Sequence, residues 1–183
     1  MKLTTREMTL VAIFPAMMAV TAQFNIPMGS LPAISLQTLF VYLAGLTLGW
    51  RLAGMRMFVY VMLGVIGLPV FTYGRAIEAL GTGSGGFIIG FIISAMLIGY
   101  LKNVKFINNQ YIKNFIVLII GTIVIYVLGA LYITYLTNTS FWLVLGSFYI
   151  YFIGDLIKIV AAIYVYKRIR PHLTYEWAQI CLN

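Results

Sequence analysis

Acidic residues, cysteine and histidine are what this chain has least of. Its 183 residues include four Asp and Glu, one cysteine (Cys181) and one histidine (His172). A lone cysteine excludes an intramolecular disulfide, and one Cys with one His cannot supply a zinc site of the usual spacing. No carboxylate pair falls within one apolar run, and neither HExxH nor a nucleophile elbow occurs. No catalytic constellation is therefore read, and the chain is expected to be neither an enzyme nor the holder of a metal or cofactor. Charged residues make up 9% of the chain, against about 25% in soluble domains. So little polar surface excludes an ordinary soluble domain.

What is present is apolar: 62% hydrophobic residues and a mean hydropathy of +1.00. A membrane-crossing helix needs roughly 20 mostly apolar residues, and six such runs cover nearly the whole length. They predict an all-α integral membrane protein, a single polytopic domain over residues 1–183, with spans at about 8–24, 36–50, 55–71, 86–101, 115–136 and 154–170. Residues 1–22 mimic a signal peptide, but the later spans need this one to keep an even topology, so it is read as retained.

The net charge is +8. Ten of the twelve basic residues sit in four places: Lys2 and Arg6; Arg51 and Arg56; Lys102, Lys105 and Lys113; Lys167, Arg168 and Arg170. Basic and uncharged links alternate, the positive-inside pattern of an even number of spans with both termini cytoplasmic. Charge spread along a membrane edge argues against a nucleic-acid partner. The tail, residues 174–183, is read as a cytoplasmic amphipathic end.

Two basic residues stand apart. Lys158 occurs in FIGDLIKIV, residues 152–160, with Asp155 three positions earlier. A charge inside a membrane helix costs about 2.5 to 3.5 kcal/mol and so faces a cavity or another charge. Three positions place both on one helix face. They either neutralise each other or point into a pocket that binds a polar solute. The long run 141–166 is one tilted helix, or it breaks at Gly146 or Gly154. The second reading is preferred, with Asp155 at the start of the last helix, where a carboxylate suits the helix dipole.

The other is Arg75, in TYGRAIEALGTGSGGFIIGF, residues 72–91, with Glu78 three positions on. Arg75 is read as a bidentate clamp for a carboxylate, or the two as a solvated pair. Glycines 81, 83, 85 and 86 do not form a nucleotide loop, since no strand precedes them and no Lys-Ser/Thr follows. They let the backbone approach a ligand or a neighbouring helix closely. Gln37 and Thr38, at the outer start of the second span, either cap the helix or reach a pocket. Ala12 and Ala16 form a small-xxx-small pair suited to close helix approach.

LQTLFVYLAGLTLGW, VMLGVIGLPVF, GTGSGGFIIGF and GDLIKI, in that order across about residues 27–166, resemble the signature segments of the BioY family, the biotin-specific substrate-binding subunits (S components) of energy-coupling-factor transporters. The resemblance implies six membrane helices in a cell membrane and a biotin pocket near the extracellular side. It also implies partnership with a transmembrane coupling subunit and two cytoplasmic ATPases. By the same likeness, GDLIK places Asp155 and Lys158 in the pocket, and Ala12 and Ala16 match the AxxxA motif by which S components dock on the coupling subunit. Family members usually carry proline just before GDLIK, where this chain has Ile153. Arg75 and Glu78 do not come from the family pattern. On this reading Asp155 accepts from the ureido nitrogens of biotin and Lys158 meets its carboxylate or ureido oxygen. Phe87, Tyr73 or Tyr151 packs on the ring system, with Gln37, Thr38, Gly85 and Gly86 nearby. The rival readings are an uptake protein independent of the ATPases, an S component for another small vitamin, an intramembrane enzyme using Asp155, Lys158 and Glu78, and a structural subunit without a ligand.

Overall fold

The computed structural model describes residues 5–28, 31–72, 74, 76–104 and 107–173. Helix α1 (Thr5–Ala22) leads into two strands, β1 (Asn25–Met28) and β2 (Leu31–Ser35). Then come α2 (Gln37–Val65), the short α3 (Ala76–Gly81), α4 (Gly85–Leu101), α5 (Gln110–Thr137), the short α6 (Phe141–Ser147) and α7 (Tyr149–Leu173). By length and composition α5 and α7 can each cross a membrane. Their outer faces, among them Ile123, Leu131, Ile157 and Val160, are exposed and apolar. In a bilayer those faces meet lipid.

Helix α2 contains Gly49 at φ 73° and ψ 171°, a backbone state that glycine adopts without the steric cost of a Cβ. The Gln37 side-chain amide donates to the Tyr60 hydroxyl. In an unbroken helix those residues, 23 positions apart, would be about 35 Å from each other. The chain therefore doubles back at Gly49 into two antiparallel arms, 37–48 and 50–65. Gly45 and Gly54, one on each arm, both meet the 95–98 stretch of α4, as a folded-back pair requires. The break leaves a helical carbonyl without its usual donor, and Lys102 Nζ reaches the Leu46 oxygen at 2.8 Å. Sequence placed the link between these spans at 51–54. It lies at Gly49, and Arg51 and Arg56 are inside the second arm.

Helix α4 packs against both α2 and α5, and α1 and α7 flank α2. The α4–α5 contact is glycine-lined: Gly86 lies against the Leu128 carbonyl and the Cβ of Tyr132, and a side chain added at Gly90 would come within 3.1 Å of Ile125 Cα. Between helices that lipid cannot drive together by hydrophobicity, such close backbone approach supplies dispersion contact.

The uncharged link between the first two expected spans contains an antiparallel strand pair, β1 and β2, with Asn25 opposite Ser35 and Ile26 opposite Ile34. One further sequence expectation changes. Helix α7 begins at Tyr149, not near Gly154, and the break before it falls at Phe148 (φ −78°, ψ 0°). The Phe148 ring is buried between Phe87 at 5.3 Å, Tyr126 at 5.5 Å and Tyr151 at 5.7 Å. Burying that ring outweighs glycine's weak dislike of helix, about 1 kcal/mol. Asp155 thus occupies the second turn of α7, and Ile153 continues the helix that a proline would have disturbed.

Candidate functional site

Where β2 meets the first turns of α2, α4 and α7 and the middle of α5 lies a cavity of about 570 Å³, counted out through its mouth. Ala33, Ile34 and Ser35 of β2 form one side, and Phe71, Phe87, Ile88 and Phe91 supply an apolar wall. The polar lining is Gln37, Thr38, Thr72, Ser84, Tyr126, Tyr151, Asp155 and Lys158. An apolar cleft with a few convergent polar groups is the usual form of a small-molecule site.

Asp155, 3% exposed, organises the polar half. Its Oδ1 accepts from Lys158 Nζ at 2.8 Å and from the Thr38 hydroxyl at 3.0 Å. Its Oδ2 accepts from the Tyr126 hydroxyl at 2.6 Å. Lys158 Nζ also donates to Thr38 Oγ1 at 3.0 Å, closing a triangle. A carboxylate has about four lone-pair sites and an ammonium three N–H donors. The cluster therefore keeps one acceptor site on Oδ2 and one N–H on Lys158 beyond those already engaged, side by side at the cavity wall. Together they complement a ligand group that carries an N–H donor next to a carbonyl oxygen.

Gln37 is held as firmly. Its Oε1 accepts from Ser35 Oγ at 2.9 Å and Thr72 Oγ1 at 2.8 Å. The Tyr60 hydroxyl that accepts its amide N–H donates in turn to the Val70 carbonyl at 2.8 Å. A buried amide with fixed partners is a rigid edge of the site rather than a helix cap; at the start of α2 it is Ser35 Oγ that accepts the Gln37 backbone N–H, at 3.4 Å.

Of the residues singled out from sequence, Asp155, Lys158, Gln37, Thr38, Phe87 and Tyr151 meet in this cavity. Gly85 and Gly86 do not line it: they are buried against α5, Gly85 facing the Tyr132 ring and Gly86 the Leu128 carbonyl. Of the two readings of these glycines, close approach to a neighbouring helix is the one their placement matches. Glu78 is exposed on α3, away from the lining. Tyr73 and Arg75 lie outside the described residues. Ala12 and Ala16 are exposed on one face of α1. Sequence reasoning missed Tyr126 and Thr72. Tyr126 carried a signal, a phenol in the middle of the aliphatic run GTIVIYVLGAL, where a hydroxyl must find a partner.

Comparison with known proteins points to one family. A profile described as the BioY family matches residues 1–175. A probable biotin transporter BioY of Lysinibacillus sphaericus is 36% identical over 160 residues, 86% of this chain and 79% of that one. The biotin transporter BioY of Thermotoga maritima is 31% identical over 166 residues, 90% of this chain and 96% of that one. The crystal structure of an S-component for biotin from an ECF-type ABC transporter superposes with a TM-score of 0.83 at 27% identity, covering 93% of this chain and 95% of the other.

Proposed function

The chain belongs to the BioY family, and from that premise we propose that it captures biotin as the substrate-binding subunit of an ATP-driven vitamin uptake transporter. It is a multi-pass membrane protein and a transporter subunit, not an enzyme. The observation that carries the reading is the Asp155–Lys158–Thr38–Tyr126 cluster, which leaves an acceptor and a donor adjacent on the wall of an otherwise apolar cavity. The ureido group of biotin presents N–H beside C=O. Asp155 accepts from a ureido nitrogen while Lys158 donates to the ureido oxygen, and Phe87, Phe91 and Tyr151 pack against the bicycle.

This assigns both charges to the ureido end. Lys158 is the one cation among the described lining residues, so the valerate carboxylate points toward the mouth; Arg75, read from sequence as a carboxylate clamp, is its candidate partner. Release to the other side requires rearrangement of the subunit, driven by two ATPases through a transmembrane coupling subunit that meets α1 at Ala12 and Ala16. Small residues exposed on one helix face suit such a contact.

The test is mass spectrometry of small molecules released from the detergent-purified protein, with a biotin titration of the same sample. Stoichiometric unmodified biotin that Asp155→Asn no longer retains supports the proposal. A protein that carries no biotin and binds none when it is added overturns it.

A further inference from the structure

At the opposite, basic end of the bundle a second cavity opens between the first turns of α5 and the last turns of α7, about 910 Å³ counted with its open side. It shares no lining residue with the cavity around Asp155. Along α7 the two are set apart by the nine positions from Lys158 to Lys167, about 13 Å.

The chemistry of this cavity is one-sided. Gln110, Tyr111, Asn114, Tyr166, Lys167 and Arg170 line it with donors and cations, and no carboxylate of the described residues does. Asn114 is 3% exposed. Its Oδ1 accepts from Gln110 Nε2 at 2.9 Å, which leaves its own amide N–H groups without an acceptor among the described residues. Asn114 lines the cavity, so a bound acceptor can take those N–H groups. Lys167 Nζ lies 5.2 Å from the centre of the Tyr111 ring, which presents the ammonium at the rim. What fits is an anion rich in oxygen acceptors.

We propose that this cavity binds the phosphate headgroup of an anionic phospholipid, with Lys167 and Arg170 on the phosphate and Asn114 donating to its oxygens. A lipid is favoured over a free anion by what lies along the flanking helices. Phe115 on α5 and Val160 on α7 are exposed and apolar, so an acyl chain can follow the two helices into the bilayer. Basic pockets between helices at a membrane edge recognise headgroups in this way.

The experiment compares phosphatidylglycerol with phosphatidylcholine, each titrated into the detergent-solubilised full chain, with the melting temperature and lipid retention in native mass spectrometry as readouts. Phosphatidylglycerol should be retained preferentially, and K167Q/R170Q should weaken its retention about 30-fold. R168Q should leave it unchanged, since Arg168 faces Tyr164 instead of the cavity. N114A tests the buried donor with both cations intact and should lose part of the preference, so a double variant that fails to fold still leaves a decisive measurement. The proposal is overturned if R168Q weakens retention as much as K167Q/R170Q, or if N114A and K167Q/R170Q retain the lipid like the parent. It is equally overturned if inorganic phosphate alone gives the same stabilisation, or if the parent retains no phosphatidylglycerol.

Discussion

Two buried charged side chains in this bundle are treated in opposite ways. Asp155 receives donors from Lys158, Thr38 and Tyr126. Arg56, 0% exposed in the second arm of α2, has Nε and Nη1 without an acceptor among the described residues, and its guanidinium rests on the Phe14 ring at 4.2 Å. Both carry the desolvation cost of a buried ion. At Asp155 protein groups offset it and hold the carboxylate in one orientation at a cavity. At Arg56 a ring face offsets part of it, and no described cavity is lined by it. A satisfied ion beside empty space can be a site, whereas an unsatisfied one in packed surroundings is a load on the fold.

The largest effect that would sharpen this contrast comes from Asp155→Ala. It strands the Lys158 ammonium, so the melting transition should fall by about 3 to 5 kcal/mol of stability, and biotin binding should be undetectable by calorimetry. D155L/K158L should recover much of the stability while staying inactive, which separates the ion pair as a structural element from the pair as a ligand site.

Tyr126→Phe removes one hydrogen bond to the buried carboxylate and should weaken biotin binding about tenfold and cost about 1 to 3 kcal/mol of stability. Unchanged affinity would mean that Asp155 does not need the phenol to be oriented. Gly86→Ala forces a methyl into the Leu128 carbonyl and Tyr132, and overpacking of this kind costs about 1 to 3 kcal/mol, read as a melting temperature several degrees lower. The smallest change is expected from Arg56→Met, which removes the charge and keeps the bulk. Its melting temperature should equal or exceed the parent's; a clear drop would show that Arg56 has an acceptor, and the contrast drawn above would fail.

Much of the site was legible because membranes make polar residues conspicuous. Asp155 and Lys158 stand out in an apolar run, and Gln37 and Thr38 open the next one in the same way. Tyr126 was harder to see, since tyrosine is common at both membrane edges and its depth follows only from the run around it. Gly85 and Gly86 illustrate the opposite difficulty: a glycine cluster permits close approach, but the approaching partner, Tyr132 of α5, is 46 or 47 positions away.

Hydropathy and the placement of charge, both written locally in the chain, determined that this is a helical membrane protein and that Asp155 and Lys158 lie inside one of its apolar runs. The tertiary structure decided what those residues do. Thr38 reaches Asp155 across 117 positions and Lys158 across 120, and the turn at Gly49 brings Gln37 back beside Tyr60. Contacts at such separations depend on how helices cross, and the crossings are set by small residues and buried rings acting together, which no local stretch of sequence encodes.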